Sequence, residues 1–166
     1  MTDVVAFKPS SPIALVDRAI SLLDAVPYTL LALPLRVGAA AVFWNSSQAK
    51  LANWDTTIEL FTEDYKVPLL PPEIAANMAL SIELTTPVLL VLGLLTRASA
   101  LVLLGMTAVI EIFVFPLAWP THIQWAAMLL MLLCRGAGAF SLDALIEHFW
   151  RRSLGNDLNL KVGDGC

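Results

Sequence analysis

The sequence predicts an all-α integral membrane protein: a four-helix bundle, preceded by an interfacial amphipathic helix, with a structured outer loop between spans one and two. Three observations predict it. Of 166 residues, 58% are hydrophobic and 14% charged, whereas an ordinary soluble domain is about 45–50% apolar and about 25% charged. The mean hydropathy is +0.74, and a body this small has no way of hiding so much apolar surface from water. Four stretches, 27–47, 73–95, 97–119 and 121–140, reach the roughly 20 residues that a hydrocarbon core requires. The lipid bilayer is therefore the first partner, and residues 1–152 form one membrane domain followed by a short polar tail, 153–166, expected to fray.

Composition also excludes several classes. The net charge is −4 and Lys and Arg are scattered, so there is no basic stripe to follow phosphates and no nucleic-acid partner is expected. Cys134 and Cys166 form neither a CxxC pair nor a metal cluster, so thiol-disulfide and zinc chemistry lack their ligands and Cys134 reads as inert packing. Asp3, Lys8, Pro9, Pro12, Asp17, Arg18 and Asp24 break up the first 26 positions, which therefore do not read as a secretory signal peptide.

Taken in order, Ser11 caps a helix with Pro12 at its first position. Ile13, Val16, Ile20 and Leu23 recur every three or four residues opposite Asp17, Arg18, Ser21 and Asp24, a pattern that lies along a membrane surface. After span one, the connection 48–72 carries Asp55, Glu59, Glu63 and Asp64 beside Trp54, Ile58, Leu60, Phe61 and Tyr65. It predicts a short helix lying on the membrane, ended by Pro68, Pro71 and Pro72. Pro116, Pro120 and His122 mark a tight outer turn between the last two spans. Lys8, Arg18, Arg97, Arg151, Arg152 and Lys161 fall on one side, and only Lys50 and Lys66 on the other. Both termini are therefore expected in the cytoplasm. Trp44, Trp54, Trp119 and Trp125 mark the outer boundary.

Ionisable groups at membrane depth are costly and need partners. Counted at 1.5 Å per residue, Arg36 lies roughly 13 Å from the inner end of span one and Glu83 roughly 15 Å from the outer end of span two, both near the midplane. Their opposite charges predict an ion pair, read either as a helix clamp or as part of a ligand site. Glu111 lies in the outer third near His122 and Gln124, a place for a proton-handling catalytic group. Lys50, with Asn45, Ser46, Ser47 and Gln48, would line the same pocket as its counter-ion. His122 alone reads better as satisfying the turn, and two separated His residues offer no metal ligand set. Pro34, Pro87 and Pro116 interrupt spans one to three, where kinks free carbonyls to line a cavity.

Leu35-Arg36, the run Ser46 to Leu51, Glu83, Gly93-Leu94-Leu95-Thr96-Arg97 and the run Arg135 to Asp143 together resemble the DoxX family of small four-helix membrane proteins. The likeness covers about 34–146. Trp54 to Thr57, Tyr65 to Pro72 and Trp119 to His122 are similar to a bacterial subgroup found with small copper-handling peptides. Two departures stand out, Ser47 where the family has Gly and Ala137 where it has Pro. The resemblance implies a bacterial inner-membrane protein linked to redox chemistry, commonly a subunit of a complex, in which a quinone is the cofactor. Arg36, Glu83 and Lys50 would bind that quinone and Glu111 would relay protons. Two alternatives come from other classes: a scaffold whose outer loop recruits a periplasmic or membrane partner, and a small-solute transporter that works as a homo-oligomer.

Overall fold

The computed structural model describes residues 12–66 and 68–163, with side chains to Arg152. Ser11, the expected cap of the first helix, lies outside the described residues. Helix α1 is Pro12–Asp24, α2 Tyr28–Ala52, α3 Trp54–Leu60, α4 Pro72–Leu92, α5 Thr96–Val109, α6 Trp119–Arg135 and α7 Leu142–Gly163. Two of these run on into π-helical turns, α3 through Phe61–Tyr65 and α5 through Ile110–Val114. Among the described residues there is no strand.

Three helical stretches, Pro72–Leu92, Thr96–Val114 and Pro116–Arg135, are each long and apolar enough to cross a membrane. Helices α1 and α2 reach that composition only as a pair bent by 67°. The 25 residues of α2 nevertheless extend about 37 Å, enough to span a bilayer. It packs against α4 and α6, and α5 against α4 and α6, closing a four-membered ring. The chain is thus a multi-pass membrane bundle. Helix α1 buries none of its residues and leaves its apolar stripe open, as a helix on a lipid surface does.

Small residues let the helices approach. Ala39 and Ala40 of α2 and Ala100 of α5 are buried beside Phe43, Leu90, Leu103, Leu129 and Leu132, the small-against-large packing that substitutes for a hydrophobic driving force in lipid. Ser47, in the family's glycine position, is fully buried and donates to the Trp44 carbonyl at 2.7 Å. A second cluster joins the outer loop to the start of α4: Phe61, Ala75 and Ala76, flanked by Trp54, Ile58 and Tyr65. The expected surface helix is therefore packed onto the bundle. Trp54 and Trp125 pack inward, so of the four outer tryptophans only Trp44 and Trp119 are exposed. Cys134, expected as packing, is exposed.

The tail also differs from expectation: α7 carries the chain helically through Gly163. Leu142, Leu145, Ile146, Phe149 and Trp150 recur along it at three- and four-residue spacing and are exposed. Pro116 does not kink the third span but opens a 3₁₀ turn, Pro116–Ala118, beyond it.

Candidate functional site

Two polar centres lie at different depths, and the four deep charges divide between them. At the inner end of the bundle, Arg36 is buried and directs its guanidinium at four carbonyl oxygens. Nε donates to Leu90 at 2.7 Å, Nη1 to Phe140 at 2.7 Å and Ala137 at 3.3 Å, and Nη2 to Val91. Leu90 and Val91 lie in the last turn of α4, at the negative end of the helix dipole, and the Leu90 carbonyl also accepts from the Gly93 N–H at 3.1 Å. Asp143 stands beside this knot. Its carboxylate accepts from the amides of Leu95 at 2.8 Å and Thr96 at 3.0 Å, capping α5 from across the chain, while its own amide donates to Gly93 at 2.8 Å.

The expected Arg36–Glu83 pair does not form. In a helix every side chain leans toward the N-terminus. Since α2 and α4 run antiparallel, Arg36 leans to the inner end and Glu83 to the outer, so their tips part even where their backbones are level. Arg36 is accordingly a structural donor here and does not line the cavity described next.

Glu83 instead meets Lys50, which leans back from the outer end of α2. Lys50 Nζ lies 2.8 Å from both carboxylate oxygens and 2.8 Å from Ser46 Oγ, and Ser46 donates to Glu83 at 3.1 Å. The side chains are 14% and 2% exposed. All three ammonium hydrogens are used, which is what a buried ion pair needs to offset desolvation. Pro87, one turn on, has no N–H for the Glu83 carbonyl.

The triad forms one wall of a cavity of about 390 Å³ in the outer half of the bundle, lined largely by apolar and aromatic groups including Phe43, Ile82, Met106 and Trp125. This size and lining suit a small ligand. On another wall stands His122, buried, with Nδ1 2.5 Å from Glu111 Oε2. Nε2 has no hydrogen-bond partner among the described residues. Glu111, the more exposed partner at 29% against 7%, continues the dyad away from the cavity. Lys50 is thus the counter-ion of Glu83 and not of Glu111, whose partner is the histidine that read as a turn residue.

Tyr65 is the lining residue with functional chemistry that sequence reasoning did not single out. Burial, then the charges of Glu83 and Asp64, hold its phenol above the ordinary range, so it stays an O–H donor. Its ring packs edge-on against Phe61 at 4.8 Å and Phe115 at 5.5 Å. Both π-helical turns, Phe61–Tyr65 and Ile110–Val114, contribute to the lining. Such turns are rare and are frequently found at functional sites.

The family model for DoxX matches residues 31–116, just over half of the chain. The chain belongs to the DoxX family. No curated protein and no solved structure matches it. The DoxX match spans both centres from the helix side, reaching Arg36, Lys50, Glu83 and Glu111, while His122 and Asp143 lie beyond it. The runs that carry the DoxX resemblance, Gly93 to Arg97 and Arg135 to Asp143, converge on the inner knot.

Proposed function

We propose that this DoxX protein holds a quinone-like ring in its outer cavity and exchanges protons between that ring and the outer aqueous side, as the membrane subunit of a redox system. The observation that carries this is the placing of two polar groups on one apolar cavity, the Ser46–Lys50–Glu83 triad and the His122–Glu111 dyad. A quinone needs an apolar slot with a few polar groups at its carbonyls: Tyr65 and His122 are the lining groups left to donate, while Lys50, whose hydrogens go to Glu83 and Ser46, supplies positive charge. When bound, a quinone supplies two-electron, two-proton carrier chemistry.

The roles differ from residue to residue. Lys50, held by Glu83, presents positive charge toward a carbonyl oxygen, and Glu83 is its positioning residue. His122 Nε2 faces the ligand, Nδ1 stays with Glu111, and Glu111 hands protons to and from the outer side. Aromatic side chains exclude water from the ring. The distribution of Lys and Arg supports a bacterial inner membrane with both termini cytoplasmic. The similarity to the copper-associated subgroup supports copper or oxidative stress as the setting, with a membrane or periplasmic protein supplying the other half of the redox couple.

Extraction of lipid-soluble molecules from protein purified in mild detergent tests the reading. Quinone should copurify with the wild type, be lost from Lys50→Met, and be retained in Glu111→Gln with quinone-dependent activity reduced by about 10²-fold or more, the scale of a lost acid-base group. Wild-type protein that neither carries nor binds quinone would refute it.

A further inference from the structure

The cavity's exit is a question of which lining residues are also on the outside of the bundle. At the end nearer the loop helix α3, the rings of Phe61, Tyr65 and Phe115 pack in series across it, Phe61 buried and Phe115 46% exposed. Along the membrane-facing side the lining is aliphatic and open: Met78 of α4 is 49% exposed, and Val102 and Val109 of α5 are 44% and 39% exposed. A residue that both lines a cavity and faces lipid stands at a lip between them.

Gly105 stands beside the α5 lip without lining the cavity itself. It shares a helix face with Val102 and Val109, and a Cβ built on it would meet nothing within 4 Å. The tight turn at Gly93 to Leu95 joins the ends of α4 and α5, and Gly105 is as many residues beyond it as Glu83 is before it. At 1.5 Å per residue both stand about 15 Å from the turn. The gap in the aliphatic row is therefore level with the buried Glu83.

We infer that the cavity opens sideways between α4 and α5 into the acyl chains, and that its ligand is an amphiphile whose polar ring sits at the Lys50–Glu83 wall while an apolar tail leaves past Gly105. This rests on the quinone reading and narrows it to tailed, membrane-dissolved members of that class. The bilayer, not the outer solution, is the source of the ligand. Glycine at position 105 is a specificity residue, because a bulky side chain there would fill the space the tail takes, whereas a single Cβ meets nothing within 4 Å.

The test compares two probes on full-length protein in proteoliposomes: an isoprenyl-tailed quinone dissolved in the bilayer, and a tail-less, water-soluble quinone with the same ring. Wild-type protein should bind both. Gly105→Phe should weaken the tailed probe about tenfold or more, the scale of an overfilled slot, and leave the tail-less probe within about twofold, with Gly105→Ala close to wild type for both. Equal loss of the two probes in Gly105→Phe, or loss of neither, overturns the side opening while leaving the quinone reading standing. Failure of wild-type protein to bind either probe brings down the quinone reading, and this inference with it.

Discussion

Arg36 and Glu83 show what single residues disclose. Their places along each helix can be counted in the sequence, but the direction in which each side chain leaves its helix decides the partner, and antiparallel helices send level side chains to opposite ends. A buried guanidinium that serves four carbonyls cannot be replaced by an ammonium with three hydrogens. Arg36→Lys should lower stability by about 2 kcal/mol, and Arg36→Met by more, since each stranded buried carbonyl costs about 1–3 kcal/mol; thermal unfolding in detergent measures this, and a wild-type midpoint for Arg36→Met would contradict the assignment. For the outer pair, Glu83→Leu alone should cost about 3–5 kcal/mol by leaving Lys50 charged and unpaired, whereas Lys50→Met with Glu83→Leu should regain most of it. Quinone binding should stay lost in the double variant. His122 was legible as a residue near Glu111, but its role was hidden because turn geometry alone does not say which way an imidazole faces.

Among the elements, the crossings α4, α5 and α6 were plain from apolar length, and the outer loop from its acidic residues and prolines. The two π-helical turns were not, because no residue type marks the extra residue; they arise where packing around a cavity outweighs regular hydrogen bonding. Helix α7 had its stripe in the sequence, Leu142 to Trp150 at helical spacing, but the Gly and Asn beyond it read as an end. The joint between α4 and α5 provides the sharpest test at this scale. Gly93 has φ 66° and ends α4 with Leu94 N–H reaching the Leu89 carbonyl at 2.9 Å, a left-handed cap that glycine adopts without strain. A Cβ there would lie 2.5 Å from Ser141 Cβ and 2.7 Å from Arg36 Nη2. Gly93→Ala should therefore destabilise by well over about 1 kcal/mol, and Asp143→Ala, which uncaps α5, by about 1–2 kcal/mol. Equilibrium unfolding of both variants checks the order.

For the whole molecule, composition alone established that lipid is the solvent, and a bundle of four helices followed from four apolar stretches. Which helices touch was not legible, since neither hydropathy nor charge records neighbours. Charge bias makes a prediction at this scale: a reporter that matures only in the cytoplasm should be active when fused at either end, and silent when inserted in the outer loop. The way the inner knot is closed has a bearing on biogenesis. Arg36, the end of α4 and the first amides of α5 are all completed by the stretch Ala137 to Asp143, which is made after the last crossing. Until the ribosome has released that stretch, Arg36 has only its two α4 carbonyls to bond and the first amides of α5 are bare, so quality control has a clear mark to read. Chains stopped before Asp143 should insert and then be degraded, while slightly longer ones survive.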